Sequence, residues 1–159
     1  ESPLYLLRRL VRFAAEDIGL ADPNALVQTL AAKEAYEFLG SPEGDLHVAQ
    51  AVIYLGSAPK SNAAYMALKA ATKAAKETGS LNPPLHILNA PTKMMKNLGY
   101  GKNYAYDHDT QHGFSGQNYF PDDLPRKEFY RPKERGYERD IKKRLDYWQK
   151  LRTELKGET

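Results

Sequence analysis

The sequence contains no cysteine, so neither a disulfide framework nor thiolate chemistry is available to it. It also has no apolar run long enough to span a bilayer, because the early run Leu4–Leu7 is interrupted at once by Arg8 and Arg9. We therefore expect neither a signal peptide nor a membrane helix, and we expect a cytoplasmic protein. Since the first residue is Glu1 rather than Met, we expect the chain to be a piece of a longer protein.

The motifs of nucleotide hydrolysis and of serine catalysis are also missing. No G-x-x-x-x-G-K-[ST] loop is present, and Gly99-Tyr100-Gly101-Lys102 is followed by Asn103 instead of a hydroxyl residue and a helix. Gly113-Phe114-Ser115-Gly116 falls short of the G-x-S-x-G nucleophile elbow. We therefore predict no catalytic residue and no bound cofactor in this chain.

A metal site is the next alternative, because Asp107-His108-Asp109 and His112 carry suitable ligand atoms. The alternative interpretation is a loop, in which Asp and His cap turns through local backbone hydrogen bonds. Gly113 and the acidic surroundings favour the loop, so we predict no metal site.

The positive charge is concentrated near the end of the chain. The stretch 126–156 holds 12 Lys and Arg against 6 Asp and Glu, whereas the net charge of the whole chain is only +3. A basic segment can contact phosphate groups, but interleaved acids can also pair with it to form a solvated helix face. The candidate DNA contacts are Arg139, Lys142, Lys143, Arg144 and Lys150.

Helical periodicity dominates the chain and predicts an all-α protein, a compact helical bundle forming one domain over residues 1–159. Apolar residues at three- and four-residue steps, separated by Gly and Pro, mark the helices. The third helix contains Val48–Leu55, which is apolar nearly all round, so we expect it in the middle of the bundle. The predicted helices begin at Ser2-Pro3, Asp22-Pro23, Ser41-Pro42, Ser61 or Asn62, Pro91 and Tyr137.

The stretch of about 100–130 has no clear period. It is rich in Gly, Pro, Asp and aromatic residues, and aromatic residues are rare in disordered segments. We therefore expect an irregular segment that is ordered by packing its rings against the helices.

The turn Ala58-Pro59-Lys60-Ser61-Asn62-Ala63 leads into the fourth helix. Free N–H groups at a helix start can bind an anion, and Lys60 would strengthen such a site. The simpler interpretation, which we favour, is that Ser61 or Asn62 only caps the helix.

Taken together, several stretches resemble one family over nearly the whole chain. They include Arg8–Pro23, Ala49-Gln50-Ala51, Ala58–Ala63, Leu98–Lys102 and Tyr106–Asp109. In these stretches the chain resembles the C-terminal part of the replication-associated recombination protein A family, also called RarA or MgsA. These are clamp-loader-like AAA+ ATPases similar to the Werner-helicase-interacting protein. The motif residues, which we expect to be structural, are Pro59, Asn89, Pro91, Gly99, Tyr100, Gly101, His108, Asp109, Gln117, Tyr119 and Tyr130.

The resemblance implies that ATP and Mg²⁺ bind in an upstream ATPase module whose motifs are not in this chain. Residues 1–20 would form a helix that joins the ATPase lid to this domain. The domain itself would assemble the protein into homotetramers during DNA replication and recombination at stalled forks. The implied partners are a second copy of the chain, replication-fork proteins and DNA, with no membrane, in a bacterial, nucleoid-associated protein.

Overall fold

The computed structural model describes residues 2–157, with side chains to residue 156. The described residues form helices and no strand, which confirms the all-α fold class. The helices are α1 Pro3–Phe13, α2 Asn24–Leu39, α3 Asp45–Ser57, α4 Ala63–Thr78, α5 Lys93–Asn97 and α6 Glu138–Gly157. Short single turns at Gly19–Ala21, Leu85–Ile87 and Asp107–Asp109 are 3₁₀ helices.

The chain groups into two compact units. One takes the residues up to Thr72 together with Phe129–Lys143, and the other takes Lys73–Glu128 together with the residues from Arg144 onward. Two of the three boundaries fall inside helices, α4 and α6, and the third falls between residues 128 and 129 in the irregular segment. The sequence pattern therefore showed no sign of a division, and it predicted a single domain.

The core of the first unit lies among α1, α2 and α3. Leu7, Ile18 and Leu55 are almost fully buried there, surrounded by small residues that let the helices approach closely. The buried alanines of this core are Ala14, Ala25, Ala32 and Ala51.

The start of α2 follows the predicted signal. Asp22 accepts a hydrogen bond from the Asn24 amide (3.0 Å) and a second one from the Tyr54 hydroxyl (2.8 Å). The bond to Asp22 raises the pKa of Tyr54 above its ordinary value. By contrast, the Ser2 side chain makes no capping hydrogen bond to α1, although Pro3 does stand in the first turn as predicted.

The join between α1 and α2 was only partly predicted. The periodic stripe of α1 continues to Ile18, but residues Ala14–Ile18 form a turn of π-helix. Gly19 then ends the helix with φ +52°, and a side chain there would lie 2.8 Å from the carbonyl oxygen of Ser61. Glycine is required at this position because the backbones approach so closely.

The prediction that α3 is enclosed on all sides is wrong for the described chain. Ala51 and Leu55 are buried against α1 and α2, but Ile53 is 73% exposed and Leu46 is 71% exposed. The apolar pattern of α3 was identified correctly, but helices of the first unit cover only one of its faces.

The second unit contains most of the irregular segment, which the sequence predicted at about 100–130, while Phe129 and Tyr130 belong to the first unit. Apart from the single turn at Asp107–Asp109, the described backbone there is without helix or strand. Its conformation depends on individual hydrogen bonds and ring contacts, which are described below.

Candidate functional site

A polar cleft of about 370 Å³ lies where α4 begins, within the first unit. All three residues of the predicted cap or anion site line it. The complete lining is Phe13, Asp17, Lys60, Ser61, Asn62, Lys133 and Arg135.

Lys60 closes the C-terminal end of α3. Its ammonium donates hydrogen bonds to the carbonyl oxygens of Leu55 (3.0 Å), Gly56 (3.2 Å) and Ala58. An ammonium has three N–H donors, so all of them are occupied by backbone carbonyls. The positive charge also opposes the negative end of the α3 dipole. In this geometry Lys60 stabilises a helix end and offers no N–H to an anion.

Ser61 and Asn62 make local contacts at the start of α4. The buried Ser61 hydroxyl accepts a hydrogen bond from the Ala63 amide (3.2 Å), and the Asn62 carbonyl accepts one from Met66 (3.0 Å). Both bonds are of the kind that begin a helix. The Asn62 side chain is exposed.

The second wall of the cleft is the segment 130–137, which we call the C-terminal strap. The Tyr137 amide donates to the Ala21 carbonyl (2.8 Å), and the Arg135 guanidinium donates to the Lys60 carbonyl (3.3 Å). Gly136 has φ +51°, and a side chain there would collide with the Ala21 carbonyl and lie 2.8 Å from the ring of Pro59. Pro59 is therefore a packing surface for the strap.

Glu138 anchors the strap at the start of α6. It is fully buried, and its two carboxylate oxygens accept hydrogen bonds from the Tyr130 hydroxyl (2.7 Å) and the Lys133 amide (2.7 Å). Burial and the bond to Glu138 raise the pKa of Tyr130. Tyr130 was predicted from the sequence as a motif residue, whereas Glu138 was not predicted as a site residue. The available signal was an acidic residue in the first turn of a helix, where the dipole favours negative charge.

In the second unit, backbone bonds explain two of the motif glycines. Gly99 and Gly101 both have positive φ, +87° and +71°, and the Gly101 amide donates to the Leu85 carbonyl (2.9 Å). The amide of the half-buried Tyr100 donates a hydrogen bond to the Met95 carbonyl (3.2 Å) at the end of α5. This geometry is a helix end followed by a turn, and it differs from a phosphate loop, which leads into a helix.

Gln117 joins two parts of the irregular segment. Its side-chain amide donates to the Asn103 carbonyl (2.7 Å) and accepts from the Ala105 amide (3.0 Å). Asn103 itself has a positive φ of 62°, which a non-glycine residue rarely adopts. Gln117 thereby satisfies backbone groups that no regular element could pair.

Arg152 of α6 ties the same segment from the other side. Its guanidinium donates to the carbonyls of Gly116 (2.8 Å) and Gln117 (3.2 Å), and it stacks over Phe114 at 4.9 Å. Phe114 in turn stacks on Trp148. Burial lowers the pKa of Arg152. In the sequence Arg152 is visible only as one of the cations of the basic stretch 126–156.

The Asp- and His-rich stretch forms a turn. The Asp107 carboxylate accepts from the Ser115 amide (2.8 Å), and the Asp109 amide donates to the Tyr106 carbonyl (2.9 Å). His108 lies exposed with its ring 5.0 Å from that of Tyr106. Among the described residues no group of three or more His, Cys, Asp and Glu converges to hold a metal ion.

The remaining motif residues are dispersed in the second unit. Asn89 and Pro91 are exposed, and the ring of Tyr119 lies 6.0 Å from that of His86. The lining of the polar cleft, by contrast, belongs to the first unit.

The cations predicted to contact DNA all lie on α6, and most are engaged locally. Lys143 pairs with Asp140 (3.6 Å), Lys150 pairs with Glu154 (3.8 Å), and the Arg139 guanidinium donates to the Glu134 carbonyl (3.1 Å). Arg144 is exposed, whereas Lys142 is half-buried, although we expected it in solvent. Exposed ion pairs of this kind contribute little to stability.

Comparison with known proteins identifies the family. The model of the family described as "MgsA AAA+ ATPase C terminal" matches residues 1–149. The chain belongs to this family. The resemblance inferred from the motifs is thereby confirmed, and no helix among the described residues of this MgsA C-terminal chain is long and apolar enough to cross a membrane.

Several curated relatives carry the same domain. The chain is 51% identical over 155 residues to the replication-associated recombination protein A of Coxiella burnetii, covering 97% of this chain and 35% of the relative. It is 44% identical over 144 residues to the Escherichia coli K12 protein of that name, covering 90% and 32%. It is 41% identical over 130 residues to the ATPase WRNIP1 of Dictyostelium discoideum, covering 80% and 15%. The chain therefore spans about a third of the length of the bacterial relatives.

Proposed function

We propose that this chain is the homo-oligomerisation module, forming tetramers, of a AAA+ ATPase that acts in DNA replication and recombination at stalled forks. The observation that supports the proposal is the exposed apolar surface of α2 and α3. Phe38 is 89% exposed, Ile53 is 73% exposed and Leu46 is 71% exposed. Large apolar residues exposed together are typical of protein–protein interfaces.

The exposed residues follow helical spacing. On α2, Leu30 and Phe38 are separated by two helical turns, and on α3 Leu46 and Ile53 are likewise separated by two turns. Each helix therefore presents an apolar stripe on the side that does not face the core of its unit. A second copy of the chain would cover these stripes, and a stable interface of this kind removes about 1,200–2,000 Å² from water.

Solution mass tests this proposal. At micromolar concentration, light scattering should give about four times the 18.0 kDa mass of the chain. Ile53→Glu should lower the mass, because a carboxylate cannot be desolvated in an apolar interface without a partner. Gln111→Glu, an exposed change in the irregular segment, is the charge-matched control and should leave the mass unchanged. A monomeric unaltered protein would contradict the proposal.

The description of the family as AAA+ ATPases supports a proposal for the activity of the whole protein. We infer that ATP and Mg²⁺ bind in an upstream module and that this chain takes no part in hydrolysis. Replication-fork proteins and DNA would be engaged by the complete protein, in the bacterial cytoplasm at the nucleoid. The alternative function, DNA contact through α6, stays a prediction, and the local pairing of Lys143 and Lys150 weakens the argument for it.

A further inference from the structure

A second and larger cleft, of about 670 Å³, runs beside α1 in the first unit. It shares Phe13 and Asp17 with the polar cleft at the start of α4, so the two clefts adjoin one another. We call the two together the basic groove. The second cleft is lined by Tyr5, Arg8, Arg9, Arg12, Phe13, Glu16 and Asp17.

Two of the cations in the basic groove are already engaged. Arg12 forms an ion pair with Glu16 (2.8 Å), and that pairing raises the pKa of Arg12. Lys60 is bonded to the carbonyls at the end of α3. Arg12 therefore contributes no free charge to a ligand, and Lys60 offers it no free N–H donor.

Four other cations in the groove have no carboxylate partner among the described residues. They are Arg8, Arg9, Lys133 and Arg135. Arg9 contacts the hydroxyl of Tyr5, and Arg135 donates to a carbonyl, so both charges remain uncompensated. The lining of the groove contains two acids, Glu16 and Asp17. Glu16 pairs with Arg12, and Asp17 forms no ion pair with a described cation. The groove therefore carries an excess of positive charge.

The charges of the basic groove differ in their pairing from those of α6, the basic helix that the sequence predicted as a candidate DNA contact. On α6 the exposed Lys143 and Lys150 are neutralised by acids one turn away. In the groove, cations from α1 and from the C-terminal strap line a concave surface. Concave surfaces of one sign focus the electrostatic potential and attract polyanions.

We propose that the basic groove binds the phosphodiester backbone of a single-stranded nucleic acid. The cations that line the groove on α1 and on the C-terminal strap can neutralise phosphates of one strand, and this releases the counterions of those phosphates. Tyr5, whose side chain is 45% exposed, lies beside Arg9 at the edge of the groove and offers a ring on which an unpaired base can stack.

The test is binding of a fluorescent oligothymidylate to the protein, followed by anisotropy across a salt series. The groove variant carries Arg8→Gln, Arg9→Gln and Lys133→Gln. The charge-matched control carries Lys69→Gln, Lys76→Gln and Lys96→Gln, all exposed positions outside the groove and outside α6. Light scattering and thermal unfolding first establish that both variants keep the mass and fold of the unaltered protein.

We expect the groove variant to lose about tenfold or more in affinity at low salt, and the slope of log affinity against log salt to become shallower by about 2. The control should keep the affinity and the slope of the unaltered protein. Tyr5→Ala should weaken binding of the single strand more than binding of a duplex.

Three results would overturn the proposal. The first is an unaltered protein that does not bind the oligonucleotide at low salt. The second is an equal loss in the groove variant and the control, which would show attraction by net charge alone. The third is competition by poly-glutamate as strong as that by the oligonucleotide, which would assign the groove to an acidic protein segment.

Discussion

The Tyr130 hydroxyl donates a 2.7 Å hydrogen bond to the carboxylate of Glu138, a residue with no exposed surface. The other carboxylate oxygen accepts a hydrogen bond from the Lys133 amide. One buried acid therefore holds the C-terminal strap in place. A buried carboxylate is tolerated only when it is hydrogen-bonded in this way.

Removing either partner of this bond should destabilise the protein. Tyr130→Phe deletes one donor to a buried charge and should cost about 1–3 kcal/mol in the free energy of unfolding. Glu138→Ala leaves both the phenol and the Lys133 amide without an acceptor and should cost more. Urea unfolding measures both, and Glu134→Ala, at an exposed position nearby, serves as the control. Equal stability of Tyr130→Phe and the unaltered protein would contradict the anchor role.

Gly136→Ala should be among the most destabilising small changes in the chain. The added carbon would collide with the Ala21 carbonyl, in a backbone conformation with φ +51°. Gly113→Ala is a matched control, because its φ is +62° but no atom lies within 4 Å of an added carbon. The control should cost about 1 kcal/mol from backbone strain alone, and Gly136→Ala should cost clearly more. Thermal unfolding measures the stability of both variants. An equal loss of stability in the two would mean that the C-terminal strap is not held tightly against the Ala21 carbonyl.

Lys60→Met should lower stability by about 1–2 kcal/mol, because the carbonyls at the end of α3 lose their cationic cap. Lys127→Met, at an exposed position, is the control. Inorganic phosphate should stabilise the unaltered protein and the Lys60 variant alike. If phosphate raises the melting temperature only when Lys60 is present, then Lys60 binds anions and the cap assignment is wrong.

Arg152→Lys should loosen the irregular segment while keeping the charge. Lysine cannot reproduce a planar guanidinium that donates to two carbonyls and stacks over Phe114. Faster amide exchange and earlier protease cutting are expected around Gly116, with little change around α2. Lys150→Gln on the same helix is the control, and identical exchange in both variants would show that Arg152 does not order the segment.

The lowered pKa of Asp107 predicts that the stability of the folded protein depends on pH. The hydrogen bonds from Ser115 hold the pKa of Asp107 below its ordinary value of 3.8. A lowered pKa in the folded state contributes stability above pH 3.8, and that contribution is lost as the pH falls through the lowered pKa. Asp107→Asn should therefore be less stable than the unaltered protein at neutral pH, and the difference should shrink in acid. Urea unfolding across this range, with Asp109→Asn as control, measures the effect.

Much of the fold was predictable because it depends on local chemistry. The apolar periodicity of α1 and α2, the Asp22 cap and the breaks at Gly19 and Gly40 are properties of neighbouring residues. The all-α class and the family were therefore recognisable from the sequence. The absence of a period in the stretch 100–130 likewise predicted an irregular segment, and its aromatic content predicted that this segment is ordered.

Three features depended on the tertiary structure. Lys60 could cap a helix or bind an anion, and only the position of its ammonium beside the α3 carbonyls distinguishes the two. The sequence marks α3 as apolar, but the packing of α1 and α2 determines that Ile53 is exposed while Leu55 is buried. The basic groove brings Arg8 and Lys133 into adjoining clefts although 125 positions of sequence separate their numbers. Local patterns carry no information about such distant neighbours, because chain folding alone brings them together.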